Sequence, residues 1–259
     1  MFIELATEYS SIETNTEDFQ KICYLDDYYQ IESISSAIRT IDTSEHSFEY
    51  FDQGFSERDH DVLHEIKIKD FSTITIFGEM HTLQTKIESF LKSALTEDTN
   101  AIYLSILITK LATQIISVSQ YSDAIVSLIA YNNGLEPNSP YWHIDKTHEE
   151  EVELKQDEYN KQYVFLSTLK GNSTLYYPVD YAARTTLSAL IQESSHSYYW
   201  TNEIFNKSLV SFAKFGQGSV HLAGYKYGAI HGTPDGKERL LMITTPSNSN
   251  TIKKLKERA

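Results

Sequence analysis

Hydrophobic positions divide the chain into a helical front part and a β-rich back part. Between residues 82 and 95, Leu83, Ile87, Phe90, Leu91 and Ala94 recur at three- and four-residue spacing, which predicts an amphipathic helix. A second helical region is expected over residues 101–131, carried by Leu107, Leu111, Ile115, Val118, Ile125 and Leu128. Asn132, Asn133 and Gly134 end it, and Pro137 and Pro140 forbid its resumption. Residues 71–77 (FSTITIF) alternate and are β-branched, as a strand requires. Residues 1–70 are acidic and show only short β-like runs at 48–51 and 66–68, with no readable chemistry.

After Pro140 the runs shorten. Residues 141–145 predict a brief strand, and residues 163–169 and 174–177 around Gly171-Asn172 predict a hairpin. Residues 179–195 are ambiguous and suggest a short helix. Further β-runs at 209–215, 219–222, 227–231 and 239–244 are separated by glycines, a density that indicates an antiparallel sandwich or barrel. The expected organisation is a largely helical region over 1–135 packed on a β core over 136–250, with a short basic tail over 251–259.

Composition narrows the function classes. The 259 residues, 41% hydrophobic, suit one large globular domain or a core with a helical extension. A net charge of −14 repels a phosphate backbone, so no nucleic-acid partner is expected. Cys23 is the sole cysteine, which excludes an internal disulfide or a thiolate cage and suits a reducing, cytoplasmic location. The first twenty residues carry acids where a secretory signal carries bases. Residues 101–116, broken by Ser105, Thr109, Lys110, Thr113 and Gln114, are expected to be too short and polar to span a bilayer. A soluble protein without a membrane partner is the expectation.

The candidate chemistry begins at His143-Ile144-Asp145. In a strand, residues i and i+2 share a face, so an imidazole and a carboxylate stand side by side. With a distant histidine they form a two-His, one-carboxylate set, which leaves coordination positions open and suits Fe(II). Alone, such a triplet is commonly a surface accident. Near the other end, His231 closes a short apolar strand, a Pro234-Asp235-Gly236 turn follows, and Arg239 opens an aliphatic strand. A buried guanidinium needs an anionic partner, and a ligand carboxylate would satisfy it in bidentate fashion.

These residues carry a resemblance. WHID (142–145) followed by TLKGNSTLYY (168–177) looks like the first metal-binding half of a 2-oxoglutarate/Fe(II)-dependent oxygenase, and GSVHLAG (218–224), AIHGTP (229–234) and ERLLMI (238–243) resemble the second half of its double-stranded β-helix. The match spans residues 141–246, under half of the chain. It implies an α+β fold with a jelly-roll or cupin-like core and supporting N-terminal helices. It further implies Fe(2+) held by His143, Asp145 and His231, the distal carboxylate of 2-oxoglutarate on Arg239, and O2 as the oxidant of a small-molecule, peptide or protein substrate. Two departures stand out: Arg239 follows His231 by only eight residues, and Leu241 stands where a small hydroxylic residue is common.

Other residues are weighed beside these. His221, in the apolar run Val220-His221-Leu222, competes for the distal ligand position; its ordinary reading is a hydrogen-bonded interior histidine beside the metal ligands. His231 is preferred because the arginine and its strand follow it. Tyr163, Thr168 and Thr174 are candidates to hydrogen-bond the co-substrate, with packing as the ordinary alternative. Trp142 reads as a wall residue, His148 and Glu149–Glu151 as a solvated loop or lid, and the remaining histidines (46, 60, 64, 81, 196) as surface or satisfied core groups. No nucleophile elbow, phosphate-binding loop, dinucleotide fingerprint or H-E-x-x-H motif occurs. Two other classes stay open: a metal-binding jelly-roll acting as a sensor or interaction protein, and a cupin-like metalloenzyme of another kind.

Overall fold

The structure is a computed structural model that describes residues 16–78, 80–97, 99–132, 142–148, 161–178, 207–224 and 227–258. The predicted short helix over 179–195 and the acidic run Glu149–Glu151 lie outside the described residues. In chain order the elements are α1 (Thr16–Thr43), β1 (Phe48–Asp52), α2 (Glu57–Glu65), β2 (Ser72–Phe77), α3 (Leu83–Ala94), α4 (Ala101–Val118), β3 (Asp123–Tyr131), β4 (Trp142–His143), β5 (Tyr163–Lys170), β6 (Leu175–Tyr177), β7 (Ser211–Phe212), β8 (Gln217–Leu222), β9 (Ile230–Gly232), β10 (Arg239–Ser247) and α5 (Ser249–Arg258).

Two antiparallel sheets result. One has the order β1-β8-β5-β10-β3-β2, the other β4-β9-β6-β7. From β3 to β10 the chain passes back and forth between them: β3, β5, β8 and β10 build the larger sheet, and β4, β6, β7 and β9 the smaller. That winding is a double-stranded β-helix, and β1 and β2 extend its larger sheet at both edges. The fold class is therefore α+β, with helices supporting a jelly-roll core.

Side-chain alternation explains how the larger sheet can be buried on both faces. Leu240 and Met242 of β10, Leu128 and Ala130 of β3, and Phe165 of β5 join the core shared with α1, α3 and α4. Leu241 of β10 and Val164 and Leu166 of β5 face inward, with Tyr176 of the smaller sheet. A strand buried on both sides reads as a continuous apolar run, as residues 240–243 of β10 do.

Four expectations change. The stretch 123–131, expected to continue a helix, is strand β3, paired with β10 over nine residues from Arg239↔Tyr131 to Ser247↔Asp123. Its alanine and leucine positions fit a helix as well as a strand, and pairing on both sides decides the outcome. The predicted hairpin of 163–177 is also not one: β5 pairs with β10 and β8, whereas β6 pairs with β9 and β7. Gly171, at φ 87, turns the chain from one sheet to the other, and a Cβ there would lie 2.1 Å from the Glu238 carbonyl oxygen. The basic tail is helix α5, anchored by buried Thr251 and Ile252. Finally, α4 is 18 residues long with mean hydropathy 1.7, enough in length and composition to cross a membrane. In this fold eight of those residues, among them Leu104, Ile108, Leu111 and Ile115, are buried in the protein.

Candidate metal centre

Strand β4 pairs with β9 in a register that sets His143 directly opposite His231. Their rings are 4.2 Å apart between centroids. Asp145 lies just past β4, where its carbonyl oxygen accepts a 2.7 Å bond from the Gly224 N–H. Between them Ile144 turns the other way, into a cluster with Trp142 and Ile230. Gly228 permits that packing, since a Cβ on it would lie 2.4 Å from the Ile144 side chain.

The result brings His143, Asp145 and His231 together, with one ligand atom from each lying within 4.8 Å of the others. Nε2 of His143 is 3.5 Å from Asp145 Oδ1, and Nε2 of His231 is 3.6 Å from Oδ2. The donor set fits a divalent cation, and a detail of His231 supports this. Its Nδ1 donates to the Ala229 carbonyl at 3.1 Å, which leaves Nε2 with a free lone pair facing the group. His231 is nearly sealed, whereas His143 and Asp145 keep 36% and 32% of their side-chain surface exposed, so the cluster opens on their side.

Electrostatics prepare the same state. Burial, with His143 next, holds His231 well below the usual histidine range, leaving the imidazole neutral for coordination. Burial pushes the Asp145 carboxyl up, but His231, His143 and His221 outweigh it and hold the group well below the usual carboxylate range. His148 is buried, bonded through Nδ1 to Ser247 Oγ at 3.2 Å, and burial pulls it down to about 4.

A pH dependence follows. The unfolded chain titrates its histidines near 6.5, above the folded values of His148 and His231, so on acidification the unfolded state takes up protons first. Stability of the metal-free protein is expected to be full above about pH 6.5 and to fall towards about pH 4, by up to about 1.4 kcal/mol per pH unit for each such histidine. Urea unfolding at pH 7.5, 6 and 5 measures the decline, and His148→Gln should flatten it. An unchanged slope in that variant would contradict the assignment.

The other predicted residues separate into two groups. Arg239 and Thr174 line the same cavity as the His-Asp-His group, a space of about 180 Å³ inside the β-helix. Arg239 is 5% exposed, donates from its terminal nitrogen to Thr174 Oγ1 at 2.7 Å, and stands opposite Tyr131 in the β10–β3 pair. Its Nε has no partner among the described residues. Tyr163 is not there. Its hydroxyl donates to Asp42 of α1, because odd-numbered positions of β5 face the helices. Thr168 lines a separate cleft with Lys170 and Phe212.

His221 lies against the group without being one of the three. Its Nε2 is 2.9 Å from Asp145 Oδ2. Tyr131 and Tyr176 were not singled out by the sequence. Tyr131 reaches the cavity because β3 pairs with β10, a relation visible only once residues 123–131 are a strand.

No protein-family model and no curated protein sequence matches the chain. Similar solved structures include a Pseudomonas putida prolyl-4-hydroxylase, 12% identical over 83% of this chain and 98% of that one, with a TM-score of 0.38. A prolyl hydroxylase from Trichoplax adhaerens, in complex with a hypoxia inducible factor peptide fragment, is 10% identical over 93% and 97%, with a TM-score of 0.41. HygX from Streptomyces hygroscopicus, with nickel and 2-oxoglutarate bound, is 13% identical over 83% and 87%, with a TM-score of 0.44. At these scores the likeness is loose, and the double-stranded β-helix rests on the strand order and register above.

Proposed function

We propose that the chain is a non-haem Fe(II), 2-oxoglutarate-dependent dioxygenase that oxidises a small-molecule, peptide or protein substrate. His143, Asp145 and His231 would hold the iron. Arg239 would bind the distal carboxylate of 2-oxoglutarate, with Thr174 and Tyr131 beside it. One observation carries this reading: a buried arginine, whose Nε has no partner among the described residues, shares a small cavity with a His-Asp-His group. An uncompensated interior guanidinium is costly, and a dicarboxylate reaching from metal to arginine relieves the cost.

Within that reading the division of labour is simple. Bound iron, with 2-oxoglutarate and O2, supplies the oxidising chemistry. The chain orients the co-substrate by a charge-assisted fork at Arg239 and keeps the inner wall dry with Leu166, Leu241 and Ile243. His231 stays neutral and Asp145 ionised, so these two groups need no proton removed near neutral pH.

The test is an anaerobic titration of metal-free protein with Fe(II) and then 2-oxoglutarate, following the visible charge-transfer band. A band that requires both components supports the proposal. Stoichiometric iron binding without the band would favour a metal-binding jelly-roll used as a sensor or interaction protein, or another cupin-like metalloenzyme. Absence of iron binding would overturn the metal centre itself.

A further inference from the structure

His221 is completely buried on β8, and both of its ring nitrogens are engaged. Nε2 is 2.9 Å from Asp145 Oδ2, and Nδ1 is 3.0 Å from the Tyr176 hydroxyl. A carboxylate only accepts, so Nε2 carries a hydrogen directed at Asp145, and the Tyr176 hydroxyl engages the other side of the ring at Nδ1. The Tyr176 oxygen in turn lies 2.9 Å from Ser219 Oγ, which can donate to it. Burial pushes the Tyr176 phenol up, so it keeps its hydrogen. A continuous hydrogen-bonded chain therefore links Ser219, Tyr176, His221 and Asp145, ending in the Nε2–H donated to Oδ2.

The N-terminal strand fixes this chain in place. Tyr176 is completely buried and stacks on Phe48 of β1, with ring centroids 4.5 Å apart and planes 17° apart. Tyr50 of β1 meets the same ring edge-on, and its own hydroxyl is 2.6 Å from Ser211 Oγ. β1 pairs with β8 in a register that places Phe48 opposite His221. A histidine kept only for packing would be satisfied by any polar neighbour. This one is aimed by an aromatic wall at one oxygen of one carboxylate.

Resting on the metal-centre reading above, we infer that His221 is a positioning residue that holds Asp145 through Oδ2 and presents Oδ1, the oxygen nearer His143, to the metal. A carboxylate binding through both oxygens would occupy two coordination positions. Engaging Oδ2 elsewhere keeps it to one and leaves more of the metal open for the co-substrate and O2. The role explains why the interior of β8 carries a histidine where neighbouring inward positions are small or apolar.

The experiment uses Co(II) as the probe, read by its visible d–d spectrum and by titration, without any assay of turnover. Wild type is expected to bind one Co(II). His221→Leu should weaken binding by about 10- to 100-fold, the usual effect of losing a hydrogen bond to a metal ligand, and should alter the spectrum. His221→Gln, whose side-chain amide still donates an N–H, should bind within a few-fold of wild type. Tyr176→Phe, which keeps the ring stack and removes only the hydroxyl, should weaken binding less than His221→Leu does. The latter two variants carry the test should His221→Leu not fold. Wild-type affinity and spectrum in His221→Leu, or in Tyr176→Phe should His221→Leu not fold, would overturn the inference while leaving the metal centre intact. A His221→Gln protein with the spectrum of a lost nitrogen donor would also overturn it, by making His221 itself a ligand. Absence of Co(II) binding by wild type would overturn the metal centre and this inference together.

Discussion

Asp145→Ala is expected to lose Fe(II) affinity by on the order of 10³-fold or more, and with it the 2-oxoglutarate-dependent band. Asp145 is the one anion among the three proposed ligands and faces His143, His221 and His231 at once. A pair of unit charges at 4 Å is worth about 4 kcal/mol at an effective dielectric of 20, and each 1.4 kcal/mol is tenfold in binding. A doubly charged ion on a directly bound carboxylate exceeds that figure before competition with water is considered. The same variant leaves the buried Nε2–H of His221 without its acceptor, which costs about 1–3 kcal/mol in the metal-free fold. Asp145→Asn separates the two effects, because the amide oxygen still accepts from His221 while the charge is gone. It should melt close to wild type and still fail to hold Fe(II). Thermal melts of metal-free protein beside a metal titration decide this, and retained Fe(II) affinity in both variants would remove Asp145 from the ligand set.

Arg239→Met is expected to raise the dissociation constant for 2-oxoglutarate by about 10²- to 10³-fold while leaving the metal-free protein as stable as wild type or more so. Removing one partner of a buried charge pair costs about 2–5 kcal/mol of binding. Without the ligand, however, the guanidinium is poorly compensated: its hydrogen-bond partner Thr174 is neutral, and Nε has none among the described residues. Methionine of similar length removes that penalty and fills the same space. The two effects have opposite signs, so this variant distinguishes a ligand anchor from a structural arginine. Calorimetry with the Fe(II)-loaded protein under anaerobic conditions gives the first and a urea midpoint the second. Lost stability with unchanged 2-oxoglutarate affinity would make Arg239 a structural residue only.

Much of the proposed site was legible from local pattern. The i, i+2 pair His143 and Asp145, the histidine ending the run at 231 and the arginine opening the strand at 239 are each short-range features. They came together because the register of β4 on β9 is set by apolar residues such as Trp142, Ile144 and Ile230, whose alternation is itself in the sequence. The amphipathic spacing of α3 was equally plain, since its buried positions are the periodic ones. The β-helix takes its first strand from residues 123–131, and α5 packs where a solvated tail was expected.

What the sequence by itself determined was therefore the set of chemical groups and the period of each short segment, because both depend on neighbours a few positions away. Tertiary structure alone decided which segments face one another. It sent β5 and β6 to different sheets although they are joined by a glycine turn, and turned Tyr163 towards α1 while Thr174 met Arg239. It made a strand of 123–131 by offering hydrogen-bond partners on both sides. It also set Phe48, Tyr176 and His221 in one line behind Asp145, although 173 residues separate Phe48 from His221. Such contacts depend on the closure of long loops and on packing across two sheets, which no local window of sequence encodes.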